Sequence, residues 1–256
     1  MPERPPDIVT RLAIDRRAAL IYRLSCDLNP PHADPEAASR AGVARPILHG
    51  LASYGVAGFA LPVIAGPMFI ASTPDLVVAE CRGGIVGAMP ALNARTYSAL
   101  DADLDQIERE LEGCAALYAI KVVRHRSHAR LRDDLAIIVR HRAPLVLLAL
   151  GANAEIVAAI QGYGGRVFND VASNRHAGKW AGFDVAAVAG GSTGSVSPFA
   201  FVQEIRAWLC GPLALAGAIA SGQTMLAAET LAADFAYIGS PFLAASEGTR
   251  RRRLNI

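Results

Sequence analysis

An α/β fold, specifically a (β/α)₈ barrel of the TIM type, is predicted by three features of the 256-residue sequence. From about residue 60 onward, short apolar runs alternate with amphipathic stretches, and about eight such repeats fit into roughly 185 residues. The apolar runs are continuous instead of alternating, as expected of parallel strands covered by helices on both faces. Gly or Pro bounds the runs, and Ser, Thr or Asn precedes several of the helical stretches.

Taken in order, the first strand is LPVIAGPMF (61–69), and its helix has Ser72 or Thr73 as N-cap, Pro74 in the first turn and Gly83 as the stop. GIVGAMPAL (84–92) is the second strand, and YSALDADLDQIERELEG (97–113) is a strongly amphipathic helix. ALYAIKVV (116–123) with HARLRDDLAIIVRHR (128–142) makes the third pair, and PLVLLAL (144–150) with NAEIVAAIQGYG (153–164) the fourth. RVFNDVA (166–172) precedes a short helix RHAGKWAG (175–182), and DVAAVAG (184–190) precedes SPFAFVQEIRAWL (197–209). PLALAGAI (212–219) with QTMLAAETLA (223–232) is the seventh pair. FAYIGSPFLA (235–244) is the last strand, and the helix after it is truncated. An open doubly wound sheet is the alternative, but no Gly-x-Gly-x-x-Gly follows the first strand.

Three segments result. Residues 1–58 form a short, mainly helical N-terminal segment, with PEAASRAG and HGLASYGVAGFA as its helices. Residues 59–247 form the barrel, and 248–256 a basic tail. Hydrophobic residues make up 52% and charged residues 19%, so a large core is expected. The net charge of +2 gives no reason to expect a nucleic acid or a membrane surface as partner. Arg250 to Arg253 read as a solvated run. Cys26, Cys81, Cys114 and Cys210 form no C-x-x-C pair, so no metal site is expected and buried free thiols are. MPERPPDIVTR lacks an apolar leader core, which points to a cytoplasmic protein. Gly50 to Pro74 carries no charge and is long enough to span a bilayer, but Pro62, Pro67 and several glycines would break such a helix.

Ligands of such barrels bind at the C-terminal ends of the strands. Those ends here are Ala65-Gly66-Pro67-Met68, Asn93, Lys121, Asn169-Asp170, the run AGGSTGS (189–195), Ala216-Gly217-Ala218-Ile219 with Ser221-Gly222, and Ile238-Gly239-Ser240-Pro241. Small residues after strand one let a flat ligand approach the backbone. Lys121 is a lone cation in an apolar strand: it faces the barrel mouth or snorkels from the strand end. Glycines after strands seven and eight suit a phosphate held by backbone N–H groups, or they simply make tight turns.

LPVIAGPMFIASTPDLVVAECRGGIVGAMPALNART, GGRVFNDV, SPFAFVQEIRAW and GPLALAGAIASG with FAYIGSPF resemble the nitronate monooxygenase family over residues 60–245. That resemblance implies an FMN-binding barrel, with Ala65, Gly66, Pro67 and Met68 against the ring system and Asn93 in contact with it. It also implies Lys121, Gly190 and Gly191 around the cofactor, and Gly217, Ala218, Gly239 and Ser240 at its phosphate. The implied reaction is oxidation of a small-molecule alkyl nitronate by molecular oxygen to a carbonyl compound and nitrite. The family's Gly-Gly-His-x-Gly loop reads Gly190-Gly191-Ser192-Thr193-Gly194 here, and His176, the nearest histidine, falls in a helix. No catalytic residue is therefore assigned, and turnover is expected to be impaired.

YRLSCDLNPPHADPE (22–36) with RPILHGLASYGVAG resembles the hydratase motif of MaoC-like hot-dog proteins. The resemblance implies that Asp27 and His32 would activate the water that adds to an enoyl-CoA, with Asn29 shaping the loop. Cys26 stands where glycine is usual. The segment reads as a truncated or fused fragment over residues 10–60. An enoyl-CoA hydratase and an inactive FMN-binding protein are the two alternatives to a flavin-dependent oxidoreductase.

Overall fold

The computed structural model describes residues 61–114, 116–124, 129–149, 154–173, 185–189, 196–209 and 211–248, with backbone alone for 185–189. All of them lie in the second of the chain's two units, Tyr54–Ile256. The N-terminal segment with its hydratase-like motif, the helix expected at 175–182, the loop at 190–195 and the Arg250 to Arg253 run lie outside the described residues.

Eight strands form one sheet: β1 (Val63–Ala65), β2 (Gly87–Pro90), β3 (Tyr118–Val123), β4 (Leu145–Ala149), β5 (Arg166–Val171), β6 (Val185–Ala189), β7 (Leu213–Ala216) and β8 (Phe235–Ile238). Their order is β1-β8-β7-β6-β5-β4-β3-β2, and every paired neighbour is parallel. The two ends of that order also meet. Ala65 donates its N–H to Val86 O at 2.8 Å, and Val86 donates to Val63 O at 3.0 Å. These bonds close the ring, so the sheet is a barrel.

Six α-helices cover it among the described residues: α1 (Pro74–Arg82), α2 (Tyr97–Glu110), α3 (Leu131–Arg140), α4 (Ala154–Gly162), α5 (Pro198–Arg206) and α6 (Gly222–Thr230). A 3₁₀ turn, Ala91–Asn93, follows β2, and a second, Ser240–Ala244, takes the place of a helix after β8. None of the helices is long and apolar enough to cross a membrane. The helix signals act as expected. Thr73 Oγ1 accepts the Leu76 N–H at 3.1 Å, Thr96 caps α2 in the same way, and Gly83 ends α1. Ser72, the other candidate cap, instead accepts the Met68 N–H at 2.9 Å and shapes the preceding loop.

The core has an inner part and an outer wall. Ile64, Val86, Ala88, Ala119, Leu145, Leu147, Phe168 and Ala214 fill the barrel, with Phe235 and Tyr237 packed on them. Phe168 and Phe235 meet edge to face, 6.4 Å between centroids. Outward residues of the same strands, such as Met89, Ile120, Val146 and Val167, pack under α1 to α4, while Leu213 and Leu215 pack under α5 and α6. Gly87 is required at this wall: a Cβ there would lie 2.4 Å from Val77 O and 2.9 Å from Cys81 Sγ on α1. At the base, Arg206 joins Asp234 at 2.5 Å and also donates to Ala232 O and Gly211 O. That fork ties α5 to the starts of β7 and β8.

The strands are shorter than their apolar runs. LPVIAGPMF yields only Val63–Ala65, and FAYIGSPFLA only Phe235–Ile238. The extra apolar residues lie beyond the C-terminal strand ends, where Phe69 and Ile70 are exposed in a loop instead of paired in the sheet.

Candidate functional site

The barrel mouth is organised by three groups of residues. The first is the loop after β1. Ala65 and Gly66 are buried, and Gly66 donates its N–H to Ile238 O at 2.6 Å. A Cβ on Gly66 would lie 3.0 Å from Gly239 Cα, so the loops after β1 and β8 touch backbone to backbone. Pro67 and Met68 are half-buried beside them. Asn93, at the end of the 3₁₀ turn after β2, holds this loop from the side. Its Nδ2 donates to Met68 O (3.0 Å) and Ser72 O (2.7 Å), and its Oδ1 accepts the Ile70 N–H (2.9 Å). Asn93 thus holds the loop after β1 in shape.

The second group lies inside the barrel. Strand periodicity puts Lys121 on the same inward face as Ala119, Asp170 on that of Phe168, and Tyr237 on that of Phe235. Lys121 Nζ donates to Asp170 Oδ2 at 2.5 Å, reaching past β4 from β3 to β5. Both side chains are partly accessible, so the pair is at the wet end of the barrel. Of the two readings for Lys121, the one that turns it into the mouth holds. The Tyr237 hydroxyl is buried and has no hydrogen-bond partner among the described residues. Burial, and then the Asp170 charge, push its proton affinity well above that of an ordinary phenol, so it is a neutral donor.

The third group is the pair of turns after β7 and β8. Gly217 (φ 102°) and Ala218 (φ 56°) both occupy left-handed backbone, which folds the β7–α6 connection into a tight turn. Ser221 then caps α6 in a reciprocal box with Thr224. Gly239 ends β8, and Ser240 opens the second 3₁₀ turn. Because β7 and β8 are neighbours, these turns are adjacent at the mouth, with the positive pole of α6 beside them.

Gly190 and Gly191, expected at the same mouth, lie outside the described residues. Sequence reasoning missed Tyr237, although the inward parity it shares with Phe235 was available to reveal it. It also missed Glu80, a carboxylate within the buried stripe of α1. Glu80 Oε2 accepts the Ala88 N–H at 3.1 Å, Oε1 has no partner among the described residues, and burial pushes the carboxyl up to about 8. Glu80 also faces a cavity of 460 Å³ lined by Leu76, Met225, Ile238 and Phe242. That cavity is on the outer wall between α1, α6 and the second 3₁₀ turn, where a helix after β8 would pack, and not at the mouth. Asp105, Glu108 and His141 cluster between α2 and α3, but both imidazole nitrogens face carboxylates, Glu108 at 3.1 Å and Asp101 at 2.7 Å. This cluster is a brace between the two helices.

Residues 1–82 match the family described as MaoC like domain. Residues 61–82 of that match form β1 and α1 of the barrel. Enoyl-CoA hydratase ChsH3 of Mycobacterium tuberculosis is 54% identical over 55 residues, which is 22% of this chain and 19% of that protein. The chain therefore spans only about a fifth of that relative. Among solved structures, a mutant of FabK from Thermotoga maritima superposes with a TM-score of 0.68 at 22% identity, covering 79% of this chain and 68% of that one. Nitroalkane oxidase from Streptomyces ansochromogenes superposes with a TM-score of 0.67 at 18% identity, covering 76% of this chain and 69% of that one. At these identities the likeness is one of fold.

Proposed function

We propose that this chain is an FMN-dependent oxidoreductase of small molecules, acting on alkyl nitronates with molecular oxygen. The observation that carries this reading is the contact of the Gly66 and Gly239 backbones, which brings the β1 and β8 loops together, with the Met68 side chain beside them, next to the adjoining turns of β7 and β8. A nitroalkane oxidase among the fold neighbours supports the substrate class.

The residues present fit the cofactor. Ala65, Gly66, Pro67 and Met68 would lie against the ring system. Gly217, Ala218, Gly239 and Ser240 would hold the phosphate by backbone N–H groups, and the Lys121 ammonium would face the ring from within the barrel. Gly190 and Gly191 complete the expected set. Asn93 would act through the loop it braces. When bound, FMN supplies the electron transfer that oxidises the substrate and returns electrons to oxygen. The protein's part is to orient the substrate and exclude water. The loop Ser192-Thr193 offers no base, and a nitronate, already an anion, needs none.

An absorption spectrum of the purified chain with and without added FMN tests the cofactor. Nitrite release tests the substrate: preformed nitronate should outperform the neutral nitroalkane. Equal turnover of the two would reveal an unassigned base and overturn this account. Bound FMN without turnover of either would make the chain an inactive flavin-binding protein.

A second reading is favoured by one observation, the match of residues 1–82 to the MaoC-like family, which contains Asp27, Asn29 and His32. On it the chain hydrates an enoyl-CoA. Hydration of crotonyl-CoA that is lost in Asp27→Asn would establish this activity; its absence would leave the segment as a fragment.

A further inference from the structure

We propose that Tyr237 is a ligand-binding residue, its hydroxyl donating a hydrogen bond to a ring carbonyl oxygen of the flavin held over the mouth, beside the Lys121–Asp170 pair. This inference rests on the flavin reading above and adds to it a residue to which that reading gave no role.

The Tyr237 hydroxyl is a misfit in its surroundings. The barrel interior is apolar except at its mouth, and Phe235 shows that a plain phenyl ring is accommodated on the same face of β8. Tyr237 adds one oxygen to that design. The oxygen is buried, yet no group among the described residues accepts from it or donates to it. A buried hydroxyl left unsatisfied destabilises the fold. The cost is recovered when an acceptor arrives from outside the chain.

Position and charge say what kind of acceptor. Tyr237 stands two residues before Gly239, at the β8 end where the β1 loop touches. Asp170, its nearest charged influence, is already bound to Lys121, so the cluster is electrically balanced and presents donors: an ammonium and a phenol. Two donors of that kind suit an oxygen on a conjugated ring that gains negative charge on reduction. The carbonyl-bearing half of a flavin ring has such an oxygen, and its other half is apolar. A donor at that oxygen stabilises the reduced ring and so raises its midpoint potential.

The test is Tyr237→Phe in the full chain, read in three ways. Thermal unfolding without flavin should show no loss of Tm, since the oxygen removed has no partner. Titration with FMN, followed by quenching of its fluorescence, should show binding about five- to tenfold weaker than wild type, the usual effect of one hydrogen bond. The bound flavin should also have a lower midpoint potential. If wild type binds FMN and Tyr237→Phe binds it equally with an unchanged potential, the inference fails while the flavin reading stands. If wild type itself binds no FMN, both fail together. If Tyr237→Phe is destabilised without flavin, the hydroxyl has a structural partner and the inference is overturned.

Discussion

Asn93 Oδ1 accepts the backbone N–H of Ile70 at 2.9 Å, and Ile70 is held there at φ 68°. A β-branched residue in left-handed backbone costs about 1–2 kcal/mol. Burial offsets little of that cost, because Ile70 is 55% exposed. The conformation persists because Asn93 also binds Met68 O and Ser72 O, on either side of Ile70.

Asn93→Ala should therefore release the loop at 66–72. Loss of three hydrogen bonds, partly replaced by water, should cost about 2–3 kcal/mol in denaturant unfolding. Proteolysis after Phe69 should accelerate. Ile70→Asn should do the opposite, gaining about 1 kcal/mol because Asn tolerates left-handed backbone. A stability loss in Ile70→Asn would show that the isoleucine has a packing role.

Glu80 gives the protein a pH signature. Its folded pKa, about 8, is above the ordinary value of 4.5, so between those values the folded state binds the extra proton. Stability from this group is complete below about pH 4.5, falls as pH rises, and is lost above about pH 8. Glu80→Gln should remove that slope, leaving the variant more stable than wild type at pH 8.5, relative to pH 5, by on the order of 3 kcal/mol. Parallel unfolding curves of the two proteins across that range would contradict the assignment.

Gly87→Ala should be among the most damaging small substitutions. Its Cβ would overlap a backbone carbonyl of α1, which cannot turn away as a side chain could. Overpacking of this kind costs about 1–3 kcal/mol, and the fixed backbone puts Gly87 at the upper end. Gly113→Ala, where a Cβ meets nothing but φ is 77°, should cost about 1 kcal/mol, from the backbone alone.

The phosphate turn has a clean test at Gly239. A Cβ there has no neighbour nearer than 3.8 Å, so Gly239→Ala should fold like wild type. Gly239→Asp should fold as well but lose FMN, because a carboxylate would face the phosphate. Retention of flavin by Gly239→Asp would move the phosphate site elsewhere. Gly217→Asp should also abolish binding, but its φ of 102° makes it a test of folding too.

Strand–helix alternation was legible in the sequence because a parallel barrel covers both faces of every strand, which leaves continuous apolar runs. Helix ends were legible at Thr73, Pro74 and Gly83, where chemistry dictates geometry. Strand ends were not, because Phe69, Ile70 and Phe242 are as apolar as the strands that precede them. Lys121 stood out as a charge in an apolar run, whereas its partner Asp170 is 49 residues away and only the barrel brings them together. Asn93 read from the residues only as an amide at the rim, and its contact with the cofactor was implied by the family resemblance. Its actual bonds depend on backbone atoms of a loop whose shape no side-chain pattern encodes.

The closure of the barrel has a consequence for how the chain is made. Val63 on β1 pairs with Ala236 on β8, and Thr73 Oγ1 donates to Glu247 O across 174 positions. Until the ribosome has released those late residues, β1 has hydrogen bonds on one side only, through Val86, and its other edge is bare. Contacts between such distant parts of a chain form slowly. During synthesis the nascent barrel is therefore an open sheet with sticky margins at both ends, and this interval is when it most needs a chaperone.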